Sequence, residues 1–325
     1  MTKMRIAVIN DYQHAALKLG DWDSLDADVE VFDKPFADAD TVVDQLAGFD
    51  VVVAMRERTP FPADVLRRLD RLKLLVTTGW GNAAIDFTAA GERGIVICGT
   101  GYPFLSCTPE LVWGLIISAA RNLPAEFGSV RAGGWGTSVG MGLEGRTLGL
   151  LGLGNLGSRV ARVGQAFEME TIAWSQNLTA EKAKEHGVIL VSKQELFSRS
   201  DILSVNLILS DRTRGMVGAP EIAAMKPTAL LINASRGAIV DEDALVLALQ
   251  ERKIGGAGLD VCTVEPLPQG HPLRTLDNAF VTPHIGYVSD GNYEAFYREA
   301  VEDIAAFAAG LPIRVLSEDW APAAK

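Results

Sequence analysis

The sequence predicts an α/β protein of two domains, each a mostly parallel sheet covered by helices, with a cleft between them. Three observations predict it. The chain has 325 residues, too long for one ordinary core and suited to two domains of roughly 150 residues each. Short apolar runs alternate with helical stretches along almost the whole length, the pattern of βαβ units on parallel sheets. A turn of the form GxGxxG stands at Gly152, Gly154 and Gly157, so a second sheet begins near mid-chain.

In the first third, "MRIAVIN", "DVEVF", "FDVVVAM", "LKLLVTT" and "GIVIC" read as strands, with "DADTVVDQLAG" and "PADVLRRLDR" as helices between them. "TPELVWGLIISAARNL" reads as one long helix linking the domains, with Pro109 in its first turn and Thr108 as its cap. A second series of strands follows: "RTLGLLGLG", "METIAW", "GVIL", "DILSVNL", "ALLINAS", "GAGLDV" and "NAFVTPH". "SDGNYEAFYREAVEDIAAFAAG" reads as a final helix that returns to the first domain, before a short Ala-rich tail, "APAAK". A Rossmann domain carries its glycine turn after its first strand, which here begins near Arg146. Residues 100–289 are therefore expected to form the Rossmann dinucleotide-binding domain. Residues 1–99 with 290–325 are expected to form a flavodoxin-like α/β substrate domain.

The composition is globular: 48% hydrophobic and 22% charged, with 32 glycines. No apolar run reaches the roughly 18 residues of a membrane span. The N-terminus passes straight into a strand pattern, without the apolar stretch or cleavage site of a signal peptide, so a cytoplasmic protein is expected. Cys98, Cys107 and Cys262 lie far apart; they read as buried thiols, and no metal site is expected. A net charge of −11 argues against nucleic acid or an anionic membrane as partner. An anionic substrate would need local cations, which draws attention to single arginines.

"TLGLLGLGNLGSRVARVGQAF" supplies strand, tight turn and helix in order. Gly152 permits the turn, Gly154 lets a pyrophosphate approach, and Gly157 lets helix and strand pack closely. The helix opening at Asn155 and Leu156 aims N–H groups, and roughly half a positive charge, at the phosphates. A dinucleotide, NAD or NADP, is the cofactor this arrangement calls for. Where an acid commonly meets the adenosine ribose stands Ser175, followed by Gln176 and Asn177. An acid there would bind the 2′-hydroxyl and repel a 2′-phosphate. Ser175 does neither strongly, and the nearest cations are Lys182 and Lys184. Either cofactor is permitted.

Chemistry is expected on loops past the carboxyl ends of the Rossmann strands, where the nicotinamide end lies. "ALLINASRGAIVDEDAL" puts Arg236 just past a strand, "GAGLDVCTVEPLP" puts Glu265 past the next, and "NAFVTPHIGY" puts His284 at a third strand end. Of four histidines, only His284 sits where a strand of the cofactor domain ends. Singly these could be a solvated loop cation, a turn acid and a structural histidine. Together they form an acid–base set.

From about Gly142 to Tyr287 the chain resembles the D-isomer-specific 2-hydroxyacid dehydrogenases, and its earlier part fits their substrate-domain pattern more loosely. "INASRGAIVDEDAL", "GAGLDVCTVEPLP" and "VTPHIG" resemble the family's Arg, Glu and His segments in order and spacing. The resemblance implies that His284 is the acid–base catalyst, Glu265 its charge partner and Arg236 the substrate-orienting cation, with Asp260 bonding the nicotinamide amide. Asn206 and Ala234 are counted with the cofactor-binding positions. "LLVTTGWGNAAID" resembles the family's loop whose backbone N–H groups bind the substrate carboxylate, here Gly79, Trp80 and Gly81, with the Trp80 ring placed to touch the substrate. "AMRERTPF" adds Arg56 and Arg58, either of which could face the cleft or solvent. "NLIL", Asn206 to Leu209, and Tyr287 depart from the pattern and leave substrate identity open.

The expected function is NAD(P)-dependent interconversion of a 2-oxo acid and a D-2-hydroxy acid by hydride transfer. Glyoxylate, hydroxypyruvate, phosphoglycerate-type and bulkier acids all stay open. One alternative is a dinucleotide-sensing binding protein of the same fold; another is a related enzyme of formate or phosphite. The family's habit of pairing through cofactor domains implies a homodimer, with "PAEFGSVRAGGW" as an arm.

Overall fold

The computed structural model describes residues 3–318; the Ala-rich tail, "APAAK", lies outside the described residues. Contacts divide the chain into two units, Met1–Phe104 with Val288–Lys325, and Leu105–Tyr287. The expected edges were residues 99/100 and 289/290.

The first unit runs β1 (Met4–Ile9), α1 (Ala16–Leu19), β2 (Ala27–Phe32), α2 (Ala39–Leu46), β3 (Val51–Ala54), α3 (Ala63–Leu66), β4 (Leu74–Thr77), α4 (Phe87–Glu92) and β5 (Val96–Gly99). All five strands pair in parallel in the order β2-β1-β3-β4-β5. That is the flavodoxin-like order. β3 and β4 are buried along their full length, which is why "VVVA" and "LLVT" are continuous and not alternating apolar runs. Helix starts carry acids that accept a backbone N–H: Asp38 from Thr41 and Asp86 from Ala89.

The second unit opens with α5 (Cys107–Ala120) and α6 (Leu123–Arg131), then β6 (Thr147–Leu151), α7 (Asn155–Ala166), β7 (Glu170–Trp174), α8 (Ala180–Glu185), β8 (Ile189–Leu190), α9 (Lys193–Arg199), β9 (Ile202–Val205), α10 (Ala219–Ala223), β10 (Leu230–Asn233), α11 (Glu242–Gln250), β11 (Gly256–Leu259) and β12 (Ala279–Val281). The sheet order is β12-β11-β10-β9-β6-β7-β8. Counted from β6, this is the Rossmann order with a seventh strand added at one edge. Neighbouring strand residues supply opposite faces: Leu148, Leu150, Leu230 and Ile232 join one core with α5 and α7. Leu151, Leu203, Leu231 and Leu259 join the other.

One expectation about α5 is corrected. Thr108 does not cap it; Ser106 holds the cap position without a side-chain bond, and the Thr108 hydroxyl donates to the Gly286 carbonyl at 3.0 Å. The helix also stops earlier than "ARNL" suggested, because Asn122 turns left-handed at φ 49° and starts α6 afresh.

The last helix, α12 (Asp290–Ala308), belongs to the first unit. Its Tyr297 is fully buried and donates to Asp11 Oδ1 at 3.1 Å. Past it the chain adds a short antiparallel contact to β5, with Cys98 opposite Val315. No helix among the described residues is long and apolar enough to cross a membrane.

Candidate active site

The glycine turn has the geometry its sequence implied. Gly152 lies at φ +101°, and a Cβ there would meet the Asn206 carbonyl oxygen at 2.9 Å. A Cβ on Gly157 would overlap the Gly152 carbonyl, whereas one on Gly154 would meet nothing within 4 Å. Two glycines are thus required by close backbone, and the third faces open space. Gly154 caps α7 without a side-chain bond, so the N-terminal N–H groups at Asn155 and Leu156 are presented together with the helix dipole. Ser175 follows β7 directly and is half-buried, while Gln176 is exposed. Asn206 folds its amide back onto the Ser204 carbonyl at 3.0 Å, and Ala234 lies buried just past β10.

At the ends of β11 and β12 the chain brings Glu265 and His284 into contact, with His284 Nδ1 2.7 Å from Glu265 Oε2. Glu265 is fixed from its other oxygen, which accepts the Cys262 N–H at 2.9 Å. Burial works against its charge, but the His284 hydrogen bond and charge, the Cys262 N–H and the nearby Arg236 charge outweigh it and hold its carboxyl below the usual range. Arg236 follows β10 and donates from Nη1 to the Ser235 carbonyl at 2.8 Å. Its neighbour Gly237 lies against the Cys262–Thr263 peptide so closely that any Cβ would overlap the Cys262 carbonyl. The loops after β10 and β11, which carry Arg236 and Glu265, are therefore locked backbone to backbone, and the loop after β12 brings His284 onto Glu265.

Asp260, at 1% exposure, does more than the sequence indicated. Its Oδ1 accepts the Thr282 hydroxyl at 2.6 Å and the Ile285 N–H at 2.8 Å, and its Oδ2 accepts the Gly286 N–H at 2.8 Å. These bonds clamp the turn that carries His284, whose φ is +53°. Burial raises the Asp260 carboxyl above its ordinary range, opposed by those same donors and by the His284 charge. Tyr287, 5% exposed, sets its ring edge-on to the imidazole at 5.7 Å. Neither the clamp nor Tyr287's contact had a local motif to announce it.

In the first unit, the loop after β4 places Gly79 at φ +84°. Its N–H donates to Thr100 Oγ1 at 2.7 Å, which removes it from the expected set of carboxylate donors. Among the described residues the N–H groups of Trp80 and Gly81 have no hydrogen-bond partner. The Arg56 guanidinium occupies the space where a Gly79 Cβ would go and donates to the Thr78 carbonyl at 3.2 Å. Arg58 turns elsewhere, donating to the Asn10 carbonyl at 2.9 Å beneath the Tyr12 ring.

Comparison with known proteins agrees with this geometry. The family described as D-isomer specific 2-hydroxyacid dehydrogenase, NAD binding domain, matches residues 113–286. A glyoxylate reductase of Aeropyrum pernix is 36% identical over 87% of this chain and 87% of its own. The chain belongs to the D-isomer specific 2-hydroxyacid dehydrogenases. A glycerate dehydrogenase of Methylorubrum extorquens is 32% identical over 91% of this chain and 97% of its own. The crystal structure of a phosphoglycerate oxidoreductase from Vibrio cholerae O395 superposes with a TM-score of 0.89 at 35% identity, over 94% of this chain and 99% of that one.

The activity of this dehydrogenase is accordingly NAD(P)-dependent interconversion of a 2-oxo acid and a D-2-hydroxy acid, and the sensing-protein alternative is not favoured. The residues present fit a dinucleotide: open space at Gly154, a helix N-terminus behind it, and strand-end loops beyond. Among the described residues no three His, Cys, Asp or Glu side chains come together as a metal cluster.

Proposed function

We propose that His284 transfers the proton in this reaction, that Glu265 orients it as its carboxylate partner, and that Arg236 holds the substrate carboxylate. The 2.7 Å contact between His284 Nδ1 and Glu265 carries the reading. It commits one ring nitrogen to the carboxylate and leaves Nε2 as the proton-transferring atom. A nicotinamide, when bound, would supply or accept the hydride at C2. As C2 is reduced, charge builds on its oxygen, and the Nε2–H stabilises that oxygen and then donates to it. In the oxidative direction Nε2 takes the hydroxyl proton. Arg236 offers a forked pair of donors to the carboxylate and so fixes which face of C2 is presented. Within the first unit, the Trp80 and Gly81 N–H groups, with the Arg56 charge behind Gly79, are assigned to binding a substrate carboxylate.

His284→Ala is expected to lower kcat by about 10²–10⁴-fold while cofactor affinity stays near that of the parent. Near-normal turnover would sink the assignment. An absorbance assay that follows consumption of NADH and of NADPH with a 2-oxo acid reads the preference at Ser175, where we expect no strong discrimination between the two.

We further propose a cytoplasmic homodimer. Helix α6 buries none of its residues, and Phe127, Val130 and Trp135 are 61%, 54% and 84% exposed. Large apolar side chains this exposed, close together in sequence, favour a partner surface. Sedimentation of the purified protein as a monomer at micromolar concentration would overturn that.

A further inference from the structure

One side chain in the Gly79–Gly81 loop, expected to touch the substrate, has no part of the substrate assigned to it by the roles above. Trp80 is 48% exposed, on the residue whose N–H is assigned to the substrate carboxylate. Its indole meets Tyr102 edge-on, 5.5 Å between centroids at 71°. Tyr102 stacks on Phe296 at 5.9 Å and 26°, and Phe296 is fully buried beside Tyr293. The indole is thus the outer end of a row of rings rooted in the core of the unit. Offset and edge-on ring contacts favour a defined arrangement, so the exposed face is held and not merely tethered.

The cation beside it is already engaged. Arg56 donates to Thr78, places Nε 3.8 Å from Glu57 Oε2, and lies 5.6 Å over the Tyr102 ring. An anionic tail reaching this spot would meet Glu57 as well as Arg56, and would lose water against an indole. The overall charge of −11 disfavours highly charged substrates further. An apolar ring would instead cover wetted indole surface, which is favourable.

We propose that Trp80 receives the substituent on C3 of the substrate, and that the preferred substrates are 2-oxo acids bearing an aromatic group there, over phosphorylated or unsubstituted ones. The inference rests on the proposed function, in which this loop holds the carboxylate. C3 is two bonds from the carboxylate carbon, so a carboxylate on the Trp80 N–H brings the C3 substituent within reach of that residue's own side chain.

The test is steady-state kinetics of the full-length protein with phenylpyruvate, glyoxylate and 3-phosphohydroxypyruvate, using both reduced cofactors. Phenylpyruvate is expected to have the highest kcat/KM. Trp80→Ala should lower the phenylpyruvate-to-glyoxylate ratio of kcat/KM about 10-fold or more, the scale on which an apolar pocket discriminates, chiefly through KM. Trp80→Phe should restore most of it. Turnover of glyoxylate and phenylpyruvate with a ratio unmoved by Trp80→Ala overturns this inference alone, as does a preference for the phosphorylated acid. No turnover of any acid overturns the proposed function, and this inference with it.

Discussion

At His284 the backbone is left-handed, with φ +53°, a conformation that costs an L-residue roughly 1–2 kcal/mol. The three hydrogen bonds into Asp260 offset that cost and make the turn a single conformation. Asp260→Asn turns one of the two accepting oxygens into a donor and leaves either the Gly286 N–H or the Ile285 N–H and Thr282 hydroxyl without an acceptor, so the turn should relax and carry the imidazole off Glu265. Expected is a kcat about 10–100-fold lower, with an altered pH–rate profile and a cofactor-binding constant that moves less. A pH profile unchanged in shape would count against a positioning role. Arg236, Glu265 and His284 were legible in the sequence because each is an ionisable residue just past an apolar run, and parallel strands put such ends on one edge. Asp260 was read only as a cofactor contact. Two of its three partners are backbone groups 25 and 26 residues ahead, and backbone groups leave no mark in a sequence. The Gly79 N–H was misjudged for the same reason, since Thr100 takes it from a neighbouring strand end.

Among the elements, α12 carries the most consequential charge arrangement. Its Asp303 is fully buried against Arg314 Nε at 2.9 Å, and its other oxygen is buried without a partner among the described residues. Burial pushes its carboxyl up to about 7; the Arg314 charge opposes that, and Glu299 and Glu302 add to it. An unfolded Asp titrates near pH ~3.9, so the folded value is raised. Between about pH 4 and pH 7 the unfolded chain has released this proton while the folded chain keeps it, and unfolding is favoured as pH rises. The contribution of Asp303 is therefore fully present below about pH 4 and is lost as pH rises through about 7. Asp303→Asn should gain Tm relative to the parent as pH is raised across that window, with the difference level above it. A pH-independent difference would show that Asp303 is already charged in the fold. The same helix was legible as a helix from its apolar spacing. Its buried ion pair was not, because nothing in "EDIAAF" distinguishes an inward Asp from an outward one.

On the scale of the molecule, both sheets were readable, since continuous runs such as "VVVA" and "LLIN" fit only strands buried on both faces. The glycine turn marked where the second sheet begins, whereas the strand orders depend on which way each crossover runs and were not read from the sequence. The two units differ in how the chain builds them. Leu105–Tyr287 is one uninterrupted segment with its own sheet and cores. Expressed alone, it is expected to fold cooperatively and to bind NADH; a fragment without protected amides in hydrogen exchange would refute this. Residues 1–104 alone should not reach their native state, because Tyr297, Phe296 and Asn292 of α12 are buried parts of that unit.

The donation from Tyr297 to Asp11 joins residues at opposite ends of the chain, and that has a consequence during synthesis. The β1–β5 segment leaves the ribosome before the helix that completes its unit. It waits with a face of its sheet uncovered while the whole cofactor-binding segment is translated and folds ahead of it. Substitutions in α12 should therefore reduce the yield of soluble protein in the cell more than they reduce the stability of whatever has matured.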